Sequence, residues 1–334
     1  MYNIKRIIAA KPWFGMFLPY LKIATLFPLF LLMHITMRCT QSCKSCYQKN
    51  DSSYLDYAGE MDVGLFENLL KNARFYKPHI HLFGGEPLLH VEFPAFIEIC
   101  RRYGFAPSLT TNGDLIDAHT DVICKSSVSQ INISINSLVN ERESSVNKDF
   151  AAKVWAFLKK NKRKKIVNLN VMLSPWNVAI VEQIVSYAHE KYAGGFDFIC
   201  IQHYNGSHRD FVKDWGNKNV ERTAEFIRRL YSRRKKLKVI FLPDVSFRNV
   251  RRYYGSDDCF GNRCFVPWVG LSIFPDLSVT PGAGVLGCVK NIGNLNQDSL
   301  MTIWRNSQLK EFRLCQRQGQ LSEKCYRCCQ KLYS

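Results

Sequence analysis

The stretch "LFLLMHITMRCTQSCKSCYQ", residues 29–48, decides the fold. Its first eight residues are a continuous apolar run of strand length, preceded by Pro28 and followed by a polar segment. Such a run suits a strand covered on both faces, as in a parallel sheet. Cys39, Cys43 and Cys46 follow directly, with three and then two residues between them and no fourth cysteine nearby. Thiolates in this grouping point to a soft metal or an iron–sulfur cluster. A structural zinc site closes with four protein ligands, so three thiolates leave one coordination position for something that is not protein.

Downstream, the pattern alternates. "DVGLFENLLKNARFY" (62–76) has helical spacing, "HIHLFGG" (79–85) reads as a strand, and "FPAFIEICRRYG" (93–104) as a helix. "PSLTTNG", a helix near 115–125, "QINISIN", the helix "FAAKVWAFLKKNK", the strand "IVNLNVML", the helix "VAIVEQIVSYAHEKYAG", the strand "FDFICIQ" and a sixth helix at 220–236 continue the series. Right-handed crossovers between such units give an α/β fold, a barrel-like or doubly wound sheet. The loop after the first strand then lies at the carboxyl edge, where these folds place their active sites. After about residue 240 the rhythm changes to a hairpin with Gly/Pro turns, a single helix through "SLMTIWRNSQLKEFRLC" (299–315), and the terminal "CYRCC". The expected domains are 1–28, 29–240 and 241–334.

With 334 residues, 46% of them apolar and 22% charged, the chain can bury a full core. The formal net charge is +18, concentrated in "KKNKRKK" (159–165), "RRLYSRRKKLK" (228–238) and "RNVRR" (248–252). Each run alone suits the solvated end of an amphipathic helix; together they would attract nucleic acid, anionic lipid or a phosphorylated substrate. Residues 1–28 are apolar and aromatic with interspersed Lys5, Arg6, Lys11 and Lys22, but Pro12, Pro19, Pro28 and Lys22 break any bilayer-spanning run. Short helices lying in a membrane interface have this character, as does an extension packed on the main domain. Thirteen cysteines with no secretory signal favour metal ligation in a reducing cytosol over a disulfide framework.

At this point the chain resembles a known family. "HITMRCTQSCKSCY" is similar to the CxxxCxxC signature of radical S-adenosylmethionine (SAM) enzymes, and "LFGGEP" at the next strand end is similar to their GGEP motif. The resemblance implies a partial (β/α)6 TIM-like barrel. It also implies a 4Fe-4S cluster on Cys39, Cys43 and Cys46, with SAM on the open iron. Gly84, Gly85, Glu86 and Pro87 would meet the SAM amino group, the glycines by close backbone approach and Glu86 by pairing with the ammonium. Asn112 of "TTNG" and Ser134 of "INISIN" fall at the strand ends where relatives contact ribose and methionine. Ser45 stands where relatives carry an aromatic or histidine, so the resemblance implies that Tyr47, the residue after the third cysteine, would take the adenine contact. Asn136 stands at the third position of the S-x-D-G usual in close relatives.

Cys264, Cys288, Cys325 and Cys328, with 23, 36 and 2 residues between them, resemble the Twitch or SPASM-type extension, a small α+β cysteine-rich module holding an auxiliary 4Fe-4S cluster. Gly282 stands where relatives place a cysteine after the "VxP" proline. Cys259, Cys315 and Cys329 are left over, and Cys100, Cys124 and Cys200 read as buried thiols. His81 and the pair His203 and Tyr204 are candidate cavity residues whose ordinary reading is structural.

The implied activity is reductive cleavage of SAM to a 5′-deoxyadenosyl radical that abstracts hydrogen from an organic substrate. The partners implied are SAM and an electron donor such as flavodoxin or ferredoxin. The basic amphipathic residues 1–28 point to a membrane lipid or lipid-linked substrate and a cytoplasmic, peripherally membrane-associated enzyme. The alternatives are a maturase of a ribosomally synthesised peptide, disfavoured by the short stretch before the first strand, and a small soluble metabolite. In a different class stands a non-catalytic, zinc-containing nucleic-acid-binding protein.

Overall fold

The computed structural model describes residues 26–43, 46, 48, 57, 59–140, 145–204, 216–242, 245, 249–255, 266–282 and 291–320. Its strands in chain order are β1 (Phe30–Thr36), β2 (His79–Gly84), β3 (Ser108–Thr111), β4 (Gln130–Ser134), β5 (Val139–Asn140), β6 (Ser145–Val146), β7 (Ile166–Leu173), β8 (Phe198–His203), β9 (Val239–Leu242), β10 (Gly270–Ile273), β11 (Ser278–Pro281) and β12 (Gly293–Asn294). The helices are α1 (Val63–Ala73), α2 (Phe93–Arg102), α3 (Ile116–Lys125), α4 (Lys148–Asn161), α5 (Val178–Lys191), α6 (Gly216–Leu237), α7 (Val250–Gly255), α8 (Leu300–Arg305) and α9 (Ser307–Arg317). The chain packs as two compact units, one of residues 1–109, 126–129 and 263–322, the other of 110–125, 130–262 and 323–334.

In the first unit β1 is central. It pairs in parallel with β2 on one side and with β10 on the other, and β10 continues antiparallel into β11 and β12. The hairpin expected after residue 240 is thus hydrogen-bonded directly beside the strand that leads to the cysteines. Alternation sorts β1 into two faces. Leu31, Met33 and Ile35 are fully buried, as are Ile80 and Leu82 of β2. Asp62 caps α1 by accepting from the Leu65 N–H (2.9 Å), and Phe66 of α1 meets Phe96 of α2 edge-on at 4.8 Å.

One predicted helix is two. Asn306 ends α8 and caps α9: its extended backbone breaks the helical run, its Oδ1 accepts from the Leu309 N–H (2.9 Å), and its Nδ2 donates to the Ile292 carbonyl (2.6 Å). An asparagine that satisfies both a helix start and the carbonyl of the residue just before β12 competes successfully with helix continuation.

In the second unit β4, β7, β8 and β9 run parallel in that order. β9 is one parallel strand more than the sequence pattern predicts, since its four residues fall where the alternation gives way to the Gly/Pro-rich segment. Asn147 caps α4 through the Phe150 N–H (3.1 Å), and Val154, Phe157 and Leu158 form its buried stripe. Cys100 and Cys200 are buried as expected, and burial pushes both thiols up, Cys200 to about 12. Cys124 is instead half-buried, because it lies on the flank of α3 rather than on the stripe formed by Ile116, Thr120 and Ile123.

Candidate functional site

The exit of β1 is pinned from both sides. The Met61 N–H donates to the Ile35 carbonyl (2.9 Å) and the Met37 N–H to the Gly59 carbonyl (3.1 Å). On the other side the Gly85 N–H donates to the Thr36 carbonyl (2.8 Å) and the Glu86 N–H to the Arg38 carbonyl (2.7 Å). Arg38 folds back so that its Nε donates to Glu60 Oε1 (3.0 Å) and its Nη2 to the Leu89 carbonyl (3.2 Å). The pair with Glu60 is partly exposed, so it orients more than it stabilises. Cys39 and Cys43 beyond this anchor are exposed and Cys46 is half-buried. The Cys46 N–H donates to the Cys43 carbonyl (3.1 Å), which turns the segment back on itself. Among the described residues no three His, Cys, Asp or Glu side chains are already gathered as a metal cage.

The GGEP glycines meet a packing need within the protein itself. A Cβ on Gly84 would lie 2.1 Å from the Thr36 carbonyl oxygen, and one on Gly85 2.0 Å from that of Arg38. Gly84 also has φ +143°, a region L side chains rarely adopt. Both glycines therefore allow a close backbone approach to the root of the cysteine segment. Glu86 is fully buried, and its Oε1 accepts from the Leu88 N–H (3.0 Å), capping the short turn Pro87–Leu89. His90, a residue the sequence gave no reason to single out, closes the junction: the Glu92 N–H donates to its Nδ1 (3.1 Å), so its Nε2 carries the proton donated to the Met61 carbonyl (3.1 Å).

In the second unit Asn112 sits in the turn after β3. Its Oδ1 accepts from the Asp114 N–H (3.0 Å), and Gly113 at φ +85° packs against Phe150 and Ile133. Ser134 ends β4, and Asn136 accepts the Met172 N–H (2.8 Å), securing the end of β7. A row of side chains that no sequence motif marks links three strands: Gln130 to Asn132 (3.0 Å), Asn132 to Thr110 (3.3 Å) and Asn168 to Asn132 (3.1 Å). Its signal was there in the alternate asparagines of "IVNLNVML". His203 is fully buried; its Nδ1 meets the Tyr254 hydroxyl (2.7 Å), which itself donates to the Leu173 carbonyl (3.1 Å). Burial drives its pKa down to about 3, and the ring is a structural one. Tyr47, Cys264, Cys288, Cys325 and Cys328, the leftover Cys259 and Cys329, and nearly all of residues 1–28 lie outside the described residues.

Comparison with known proteins agrees with this geometry. Residues 33–188 match the Radical SAM superfamily, and residues 264–329 match the SPASM family, an iron–sulfur cluster-binding domain. The chain belongs to the radical SAM superfamily, and more narrowly to members with a SPASM extension, whose cofactors are 4Fe-4S clusters and SAM. It is 26% identical over 199 residues to the PqqA peptide cyclase of Gluconobacter oxydans, covering 58% of this chain and 52% of that protein. It is 30% identical over 86 residues to an S-adenosylmethionine-dependent nucleotide dehydratase of Selenomonas ruminantium, covering 25% of this chain and 30% of that protein. The chain thus spans about half or less of the length of these curated relatives. The solved structure of Streptococcus suis SuiB bound to S-adenosylmethionine superposes with a TM-score of 0.61 at 16% identity, covering 90% of this chain and 72% of that one. That likeness establishes the α/β radical SAM fold, with its parallel strands and partial barrel. Membership of this family displaces the reading as a zinc-bearing nucleic-acid-binding protein. Among the described residues no helix is long and apolar enough to cross a membrane.

Proposed function

We propose that this chain is a radical SAM enzyme that removes a hydrogen atom from a C–H bond of a ribosomally made peptide. The observation that carries the reading is the pinned junction at the end of β1, where Gly85 and Glu86 grip the backbone of Thr36 and Arg38 immediately before the three thiols. The donor set fits a 4Fe-4S cluster with one open iron: three cysteines on one short segment, two exposed and one half-buried. With that cluster and SAM bound, the chemistry supplied is reductive cleavage of SAM and hydrogen-atom removal from an unactivated C–H bond. Cys39, Cys43 and Cys46 would hold the cluster, and residues 84–87, Asn112, Ser134 and Tyr47 would contact SAM. Cys264, Cys288, Cys325 and Cys328 would hold the auxiliary cluster. The chain's own contribution is positional: Arg38, Glu60 and the two glycines fix where the thiol segment leaves the sheet.

The peptide class draws support from the similarity to a peptide cyclase over 199 residues and from the iron–sulfur extension. The membrane-lipid expectation rests on residues 1–28 and the basic runs alone, and it is the rival. An acidic flavodoxin or ferredoxin would deliver the electron, and a net charge of +18 suits such a donor. The test is anaerobic incubation of the reconstituted enzyme with SAM, reductant and either the short peptides encoded beside its gene or a lipid extract. Loss of hydrogen from a peptide by mass spectrometry is expected. A modified lipid with every peptide unchanged overturns the peptide reading.

A further inference from the structure

One strand face of the first unit carries side chains that the cluster and SAM contacts leave unused. Phe30 packs on His79 and His81 (ring centroids 5.4 and 5.9 Å), and His81 leans on Phe83 (5.7 Å). The Ser108 hydroxyl spans His79 Nε2 (2.7 Å) and His81 Nδ1 (2.5 Å), fixing both rings. Next along the face comes His34, edge-on to Phe83 (5.4 Å) and stacked on Phe274 (4.5 Å), which in turn stacks on Tyr57 (4.0 Å). Strand register agrees, with His34 opposite Phe83 and Leu32 opposite His81.

His34 is the anomaly. It is 1% exposed, and among the described residues neither ring nitrogen has a hydrogen-bond partner. A phenylalanine would fill the same stacked slot without leaving a donor and an acceptor unmet, so packing alone does not explain a histidine there. Its position is also specific. It lies two residues before Thr36, whose carbonyl grips Gly85, and its neighbour Phe83 directly precedes Gly84. The row is thus one step below the junction that sets the thiol segment.

Charge narrows what could meet it. On the alternate positions of β1 the face holds Phe30, Leu32, His34 and Thr36, and on β2 it holds His79, His81 and Phe83, with no Lys or Arg. Arg38, the next cation along the chain, is turned to Glu60. Burial pushes His34 down to about 3 and, helped by His79 and His34, His81 likewise, so both rings are neutral near pH 7. Among the described residues of this face a phosphate or carboxylate would find no counter-charge, despite the chain's net +18.

We infer that this aromatic face receives the reacting part of the substrate, that His34 is its hydrogen-bonding contact, and that the part received is an uncharged side chain bearing an amide or hydroxyl. The inference rests on the radical SAM reading and narrows its substrate class. His34 is a specificity-determining residue in this account, and His79, Ser108 and His81 are positioning residues beside it.

The test uses the reconstituted full chain and calorimetric titration with four small probes: N-acetyl-tyrosinamide, N-acetyl-glutaminamide, and the charged counterparts N-acetyl-phosphotyrosinamide and N-acetyl-glutamate. The neutral probes should bind about tenfold or more tightly than their charged counterparts. His34→Phe should lose about tenfold or more in affinity for the neutral probes while its Tm stays at or above that of the unaltered protein. His34→Gln, which restores a donor and an acceptor, should recover part of the loss. Charged probes binding as well as neutral ones, no saturable binding of either neutral probe, or unchanged affinity in His34→Phe would each overturn the inference. Failure of the radical SAM reading is separately visible, as a cluster whose spectrum does not respond to SAM.

Discussion

Replacing Gly85 by alanine tests the junction at its tightest point. The added Cβ would lie 2.0 Å from the Arg38 carbonyl oxygen, 2.5 Å from its carbon and 2.8 Å from the Met37 carbonyl oxygen. All three are backbone atoms, so no side-chain rotation relieves the clash. Two outcomes are open to the chain, and both are unfavourable. If the strands part, the hydrogen bonds from Gly85 to Thr36 (2.8 Å) and from Glu86 to Arg38 (2.7 Å) are lost, about 1 kcal/mol net each. If they stay, the overpacking costs about 1–3 kcal/mol. By either route, or a mixture of the two, stability of the first unit falls by about 1–3 kcal/mol. Moreover, displacement of Arg38 passes straight to Cys39, its neighbour. Urea unfolding by circular dichroism should show the lowered midpoint, and iron per chain after anaerobic reconstitution should drop with it. A Gly85→Ala protein with the original midpoint and full iron would refute the reasoning.

Other outcomes follow from the same structure. His34 and His203 are held near pKa 3 against an ordinary 6.5, so the unfolded chain binds more protons between those values and stability falls as pH drops below about 6.5. Each costs about 1.4 kcal/mol per pH unit in that window, whose upper part, from about pH 6.5 to 5, lies above the range where carboxylates titrate. Urea midpoints at about pH 7.5 and 5.5 should differ accordingly, and equal midpoints would contradict the buried, neutral rings. Replacing Cys325 and Cys328 by alanine should reduce iron to one cluster's worth and block product while sparing some SAM cleavage. Unchanged iron in that double variant would remove the auxiliary site.

The parts of the fold written in period and composition were legible. The apolar run of β1, the thiols after it and the strand–helix alternation all appear where they were expected, because burial dictates periodicity. What escaped depends on contacts between segments distant in sequence. Two adjacent glycines say that something approaches closely, but not that the carbonyls of Thr36 and Arg38 do so. Asn306 looks like an ordinary helix residue until the Ile292 carbonyl is beside it. The polar rows within each unit went unseen because His34 of β1 and the alternate asparagines of β7 each sit singly among apolar neighbours, and only pairing with adjacent strands reveals their company. The apolar helix context of Cys124 suggests a buried thiol, whereas its place around α3 leaves it half-buried.

The central claim is that Cys39, Cys43 and Cys46 hold a four-iron cluster whose remaining iron takes SAM. Electron paramagnetic resonance of the anaerobically reconstituted, reduced protein, recorded with and without SAM, addresses it directly. The account predicts that adding SAM shifts the g-values of one cluster, and that the Cys39, Cys43, Cys46 triple alanine variant loses that signal while keeping the auxiliary one. A reduced spectrum identical with and without SAM would contradict it.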